Sequence, residues 1–186
     1  MIDLIFSRRR ILATLTAAAG TTVVGRASAA RSAAEFSFPS IDGGEVDLAS
    51  FSGRPVLVVN TASRCAFTPQ YDALQALYDL HRERGLVVLA VPSNDFRQEL
   101  GSEAEVKEFC EVNFGLDLPM TEITPVRGPR AHPFYRWLAQ EHDFVPRWNF
   151  NKVLIGPDGA LAGTWGSGAR PMGPAIRGAI EALLAA

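Results

Sequence analysis

Pro55-Val56-Leu57-Val58-Val59-Asn60, continued by Thr68-Pro69 and then by Tyr71, Leu74, Leu77, Tyr78 and His81, decides how the chain folds. The first run is β-branched and does not alternate with polar residues, which predicts a strand buried on both faces. Thr68-Pro69 has the chemistry of a helix N-cap followed by a first helical residue. The apolar positions after it recur at helical spacing, and Gly85 is placed to end the helix. Leu86 to Val91 then predicts a second buried strand. A strand, a helix and a strand in that order form a βαβ unit.

The flanks extend the pattern. Upstream, Phe36, Phe38 and Ile41 precede Asp42-Gly43-Gly44, with Val46 and Leu48 beyond, which predicts a short hairpin. Downstream, Ser102 with Glu105 predicts a capping box for a helix through about Asn113. Phe134 to Gln140 suits a short helix. Val153-Leu154-Ile155, Gly156-Pro157-Asp158-Gly159 and Leu161 to Trp165 read as strand, turn and strand. Pro174 to Leu184 predicts a last helix with Ile176, Ile180, Leu183 and Leu184 on one face. This order points to an α/β fold with a mixed central sheet flanked by helices, of which the thioredoxin-like class is one form the pattern alone does not single out.

The chain of 186 residues has room for one domain and a short extra segment. Hydrophobic residues at 47% and charged residues at 20% indicate a globular chain rather than a disordered one. Lys plus Arg is 18 and Asp plus Glu is 20, so a nucleic-acid binder held by phosphate contacts is not expected. Two cysteines are too few for a disulfide scaffold or a Cys-rich zinc site. His81, His132 and His142 show no metal-ligand spacing, and neither a metal nor a cofactor is expected. No apolar run is long enough to span a bilayer.

Residues 1–29 have the parts of an export signal. Ser7-Arg8-Arg9-Arg10-Ile11-Leu12 opens a charge-free stretch from Ile11 to Gly25, and Ala27-Ser28-Ala29 has the small-x-small form of a cleavage site. The paired arginines resemble the twin-arginine signal, which predicts a periplasmic protein. Residues 30–186 are then a single domain with 14 basic and 19 acidic residues. Such a net-negative surface does not favour anionic membranes.

Cys65 lies in Asn60-Thr61-Ala62-Ser63-Arg64-Cys65-Ala66-Phe67-Thr68-Pro69, between the first long strand and its helix. The helix dipole and the neighbouring Arg64 both favour a thiolate there. No C-x-x-C is present, so a dithiol exchange enzyme of the usual type is not expected. On position alone, a reactive thiolate, an inert half-buried cysteine and half of a plain disulfide all remain open.

The stretch from Asn60 through Gln70-Tyr71 resembles the active-site signature of the glutathione peroxidase family. Pro92-Ser93-Asn94-Asp95-Phe96-Arg97-Gln98-Glu99 resembles that family's P-x-N-Q-F-G-x-Q-E segment, and Trp148-Asn149-Phe150-Asn151-Lys152 its W-N-F-x-K segment. The three blocks fall in the family's order, and the likeness runs from about Phe36 to near the C-terminus. The resemblance implies that Cys65 is the peroxidatic residue and that Gln98, Trp148 and Asn149 complete a catalytic tetrad. Two amides and an indole N–H are neutral donors able to stabilise a thiolate and a departing alkoxide. Two departures stand out. Phe96-Arg97-Gln98-Glu99 is one residue shorter than the family's segment, so its loop is expected to take another path. Asp95 replaces a glutamine, and its carboxylate is expected to point away from Cys65, toward Arg97 or Arg64.

Cys110 lies in Lys107-Glu108-Phe109-Cys110-Glu111, with Val106 and Phe109 on its helix face. A small buried hydrophobe is one reading. The resemblance implies another, because family members that use thioredoxin carry a resolving cysteine there. Cys65 would then become a sulfenic acid, Cys110 would condense with it to a disulfide, and a thioredoxin-like protein would reduce that bond. Local unfolding around Cys110 is expected during turnover. Glutathione as reductant would need a basic patch, for which Arg64, Arg97, Arg127 and Arg147 are candidates. The compact stretch between Pro119 and Trp148 resembles the family's short monomeric form. The function implied is a thiol peroxidase for hydrogen peroxide and organic hydroperoxides. The alternative is a non-enzymatic redox switch using the same disulfide.

Overall fold

A computed structural model describes residues 31–185. The expected export segment, residues 1–29, lies outside the described residues. The element order is β1 (Ser37–Pro39), β2 (Glu45–Asp47), β3 (Val56–Thr61), α1 (Gln70–His81), β4 (Val87–Pro92), α2 (Glu103–Phe114), α3 (Pro133–Glu141), β5 (Lys152–Ile155), β6 (Leu161–Trp165) and α4 (Pro174–Leu184). β1 and β2 form the hairpin, antiparallel across Gly43 and Gly44, both at positive φ.

The central sheet has the order β4-β3-β5-β6. β3 pairs parallel with β4 and antiparallel with β5, and β5 pairs antiparallel with β6. Every residue of β3, β4 and β5 is buried, which explains why their sequences run apolar without alternation. β6 alternates half-buried and exposed residues, as an edge strand does.

Successive residues of the inner strands face opposite sides, and two cores result. Leu57, Val59, Val88, Ala90 and Leu154 pack with Tyr71, Leu74 and Leu77 of α1, Val106 and Cys110 of α2, and Ile176 and Ile180 of α4. Val56, Val58, Leu89, Val91 and Val153 pack on the other side with Phe134, Trp137 and Leu138 of α3 and with Phe36 and Phe38 of the hairpin. Among the described residues, no helix is long and apolar enough to cross a membrane.

Two local expectations need correction. α1 starts at Gln70, and Thr68 does not cap it. The Thr68 hydroxyl turns back, donating to Ala62 O at 2.8 Å and accepting from the Cys65 N–H at 3.0 Å. The capping box of α2 is half made. Ser102 Oγ accepts from the Glu105 N–H, whereas the Glu105 carboxylate accepts from the Gly101 N–H instead of that of Ser102.

Candidate active site

The sheet register brings the three sequence blocks to one edge. Thr61 at the end of β3 pairs with Pro92 at the end of β4, and Val59 pairs with Lys152 at the start of β5. The loop after β3, the loop after β4 and the loop entering β5 therefore leave the same end of the sheet. They carry Cys65, Gln98, and Trp148 with Asn149, respectively.

Direct hydrogen bonds join these loops. The Arg64 N–H donates to Gln98 O at 2.8 Å, so the residue before Cys65 is tied to Gln98. Asn149 Nδ2 donates to Gln98 Oε1 at 2.9 Å. That bond engages the Gln98 carbonyl and leaves its NH2 group as the donor that can face an incoming oxygen. Asn149 is fully buried and its Oδ1 has no partner among the described residues. Asn60 Nδ2 donates to Trp148 O at 3.0 Å, and the Phe150 N–H to Asn60 O at 2.6 Å. Trp148 is 41% exposed, and its ring lies 5.3 Å from that of Phe96. Phe96 and Phe150 are buried, while the Trp148 indole reaches solvent.

Cys65 is 6% exposed and carries a free thiol. Its sulfur accepts from the Phe67 backbone N–H at 3.4 Å. The turn from Cys65 into α1 also bonds Thr68 N–H to Cys65 O and Tyr71 N–H to Thr68 O. One backbone N–H, that of Phe67, therefore meets the sulfur, in the turn that leads into the positive end of α1.

The shortened segment does take its own path. Arg97 turns through the left-handed region at φ +57°, with its N–H donating to Asn94 O at 2.9 Å. Phe150, directly after Asn149, has φ +60°. Two non-glycine residues in this region mark the loops on either side of the site as strained. Asp95 points elsewhere than anticipated. Its Oδ2 accepts from the Val126 N–H at 2.7 Å and the Arg127 N–H at 3.0 Å, because two backbone donors outcompete a solvated arginine. Arg64, Arg97, Arg127 and Arg147 are all exposed. Arg127 lies 5.3 Å over the Phe96 ring, and the other three adjoin Cys65, Gln98 and Trp148 in the chain.

Two supporting residues escaped the sequence reading. Glu99 is 5% exposed, and its Oε1 accepts from the Ser63 N–H at 3.0 Å and the Leu100 N–H at 2.8 Å. Burial pushes its carboxyl up from the ordinary range. Lys152 is fully buried, and its Nζ donates to Gln70 Oε1, Ser167 O and Ala169 O. Burial brings its ammonium down to about 8. This cation bolts β5 to the first turn of α1. Its signal was a lone lysine heading the apolar run Val153-Leu154-Ile155.

Cys110 is 1% exposed on α2, also a free thiol, and shares a core with Cys65. Burial pushes its thiol up to about 11, with Glu99 and Glu111 adding to the rise and the Tyr71 hydroxyl opposing it. The two sulfurs are not bonded to each other in this state.

Comparison with known proteins gives a consistent result. The family model described as glutathione peroxidase matches residues 33–139. A hydroperoxy fatty acid reductase of Synechocystis sp. is 40% identical over 181 residues, covering 91% of this chain and 100% of the relative. A glutathione peroxidase-like peroxiredoxin of Schizosaccharomyces pombe is 37% identical over 135 residues, covering 70% of this chain and 85% of the relative. Among solved structures, that of Trgpx in apo form superposes with a TM-score of 0.69 at 34% identity, covering 85% of this chain and 98% of the other.

Proposed function

This chain belongs to the glutathione peroxidase family, has its thioredoxin-like fold and is a thiol peroxidase that reduces hydroperoxides; from that premise we propose that Cys65 is the peroxidatic residue and Cys110 the resolving one. The observation that carries the first assignment is the pair of cross-loop bonds, Arg64 N–H to Gln98 O and Asn149 Nδ2 to Gln98 Oε1. They tie the loop that carries Cys65 to the loops that carry Gln98 and Asn149, a tethering that an inert cysteine does not need.

The cycle has three steps. The Cys65 thiolate attacks the terminal oxygen of a hydroperoxide. A sulfur–oxygen bond forms, the oxygen–oxygen bond breaks, and the alkoxide leaves with the electron pair and takes up a proton as alcohol. Gln98, Trp148 and Asn149 offer neutral donors to the charge that develops on that oxygen. The Cys110 sulfur then attacks the Cys65 sulfenic acid, and the disulfide forms as the thiol proton and the hydroxide leave as water. A thioredoxin-like dithiol returns two electrons and two protons by exchange and is itself oxidised to a disulfide. The buried Cys110 thiol is a poor nucleophile while α2 stays packed, so α2 loosens before the second step.

Organic hydroperoxides, fatty-acid hydroperoxides among them, are the proposed substrates, by likeness to the Synechocystis relative. Export through residues 1–29 to the periplasm is also proposed, on the arginine pair and the Ala27-Ser28-Ala29 end.

Mass spectrometry after one equivalent of peroxide tests the mechanism. Wild type is expected to lose two hydrogens as a Cys65–Cys110 disulfide. Cys110→Ser is expected to hold a sulfenic acid on Cys65. A sulfenic acid that persists equally in both proteins overturns the role of Cys110.

A further inference from the structure

Beside the Cys65 loop runs a groove of about 800 Å³ that the peroxidase cycle leaves unused. Ala66, Phe67 and Pro69 form one wall, and Pro171, Met172 and Pro174 the other. It starts next to the nucleophile, since Ala66 follows Cys65 and the Phe67 N–H bonds its sulfur. The walls are largely apolar, and Met172, an exposed and flexible side chain, can fit a range of hydrocarbon shapes. The volume lies within the range that ordinarily encloses a small organic ligand.

The groove has a definite charge preference. Arg170 is the one charged side chain among its lining residues. It is exposed and takes part in no ion pair among the described residues. The opening residues of two long helices, Gln70 of α1 and Pro174 of α4, also line the groove, so both positive helix ends lie beside it. All of this occurs on a chain whose acidic residues outnumber its basic ones. An apolar trough that carries one cation and adjoins the loop of a peroxide-reducing sulfur is complementary to a long hydrocarbon that ends in a carboxylate.

We propose that this groove is the acyl-chain site for a free fatty-acid hydroperoxide, with Arg170 pairing the carboxylate and Phe67 and Met172 contacting the chain. This rests on the peroxidase reading above and adds to it the residues that select the substrate. Arg170 pairs the carboxylate and not the peroxide, and sets affinity rather than chemistry. A neutral ester or a phospholipid hydroperoxide lacks the free carboxylate and gains nothing from it.

The test uses single-turnover oxidation without reductant, quenched and read by mass spectrometry on Cys65. The peroxides are an 18-carbon fatty-acid hydroperoxide, its methyl ester, phosphatidylcholine hydroperoxide in neutral vesicles, and hydrogen peroxide. Arg170→Glu is expected to slow oxidation by the free acid about tenfold at subsaturating concentration, equivalent to about 1.4 kcal/mol of binding. The ester, the phospholipid and hydrogen peroxide are expected to stay within about twofold of wild type. Met172→Asp is expected to slow the acid and the ester alike and to spare hydrogen peroxide. Equal loss of acid and ester in Arg170→Glu, or no loss of either, overturns the proposal. A uniform loss across all four peroxides also overturns it, since it assigns Arg170 to the loop rather than to the ligand. Calorimetric binding of unoxidised linoleate to Cys65→Ser separates the two readings. Binding that Arg170→Glu weakens upholds the groove even if the peroxidase chemistry fails, and absent binding refutes the groove even if that chemistry holds.

Discussion

Cys65 and Cys110 share a core and are almost equally hidden from solvent, yet their surroundings differ in kind. Cys65 packs in the apolar core but stands in a loop that polar groups brace. A backbone N–H reaches its sulfur, Thr68 and Glu99 brace the loop, and the residue before Cys65 is bonded to Gln98, which Asn149 holds in turn. Cys110 stands inside a regular helix beside Val106 and Tyr71, and burial pushes its thiol up to about 11. On the roles proposed for the two sulfurs, burial alone does not decide reactivity. What decides it is whether hydrogen-bond donors accompany the sulfur out of water.

The sharpest way to break this comparison is to remove each sulfur in turn. Cys65→Ser is expected to reduce peroxide consumption to the uncatalysed background. Cys110→Ser is expected to keep the first equivalent of peroxide reacting within about twofold of wild type while stopping turnover on a thioredoxin-like dithiol. Stopped-flow oxidation and a coupled reductase assay distinguish the two. A Cys110→Ser protein that turned over normally would show that Cys110 takes no part in the cycle. Next in size is Asn149→Ala, which removes the bond orienting Gln98. The rate of Cys65 oxidation is expected to fall about a hundredfold, as when one transition-state donor is lost. The rate of disulfide formation after oxidation is expected to stay unchanged, because nothing around Cys110 is altered.

Much of this was legible in the sequence, and the illegible part has a physical pattern. The strands and α4 could be read because their apolar runs face a core on one side or both. Local capping chemistry was less readable. Thr68 has the right chemistry to cap α1, but the Cys65 loop above it offers its hydroxyl a donor and an acceptor at once. Asp95 was expected to turn toward Arg97 or Arg64, whereas its partners, the N–H groups of Val126 and Arg127, come from a distant segment. Family likeness singled out Cys65, Gln98, Trp148 and Asn149, and the structure brings their loops together. Glu99 and Lys152 were missed as braces because a buried charge shows its purpose only once its backbone partners are known.

The two regions also titrate in opposite senses. Lys152, bolted beneath the Cys65 loop, falls to about 8, so above that pH the unfolded chain holds a proton that the folded one has released. Stability from this group rises as pH climbs from about 8 toward the ordinary lysine value of 10.5. Cys110 rises to about 11 from 9.0, so the folded chain keeps a proton that the unfolded one loses, and stability falls across that window. Lys152→Met is expected to cost about 2–3 kcal/mol at neutral pH through unpaired buried carbonyls. The deficit is expected to widen between pH 8 and pH 10, because the variant lacks the rise. Cys110→Ala is expected to lose the decline above pH 9. Chemical unfolding at pH 7.5 and 10 measures both, and slopes of the same sign would contradict the comparison.

The smallest effect comes from a mirrored exchange of backbone freedom. The helix carrying Cys110 ends at Gly115, at φ +59° with open space where a Cβ would stand, so the chain turns there without strain. The loop carrying Gln98 turns at Arg97 at nearly the same φ, +57°, with a side chain in place. Gly115→Ala adds only left-handed strain, and is expected to destabilise the protein by about 1 kcal/mol. If loosening of α2 precedes disulfide formation, that strain speeds the second oxidation step by up to about fivefold and leaves the first unchanged. Arg97→Gly relieves strain of the same kind but gives the unfolded chain more freedom, for a net gain of about 0.5 kcal/mol. It is expected to slow Cys65 oxidation, because a glycine no longer fixes the turn that presents Gln98. Opposite shifts in stability, each paired with a change in a different kinetic step, would place the strain at the first cysteine's partners and the freedom at the second's helix end. Shifts of the same sign would show that the left-handed residue at 97 is a consequence of the shortened loop and does no work in holding Gln98.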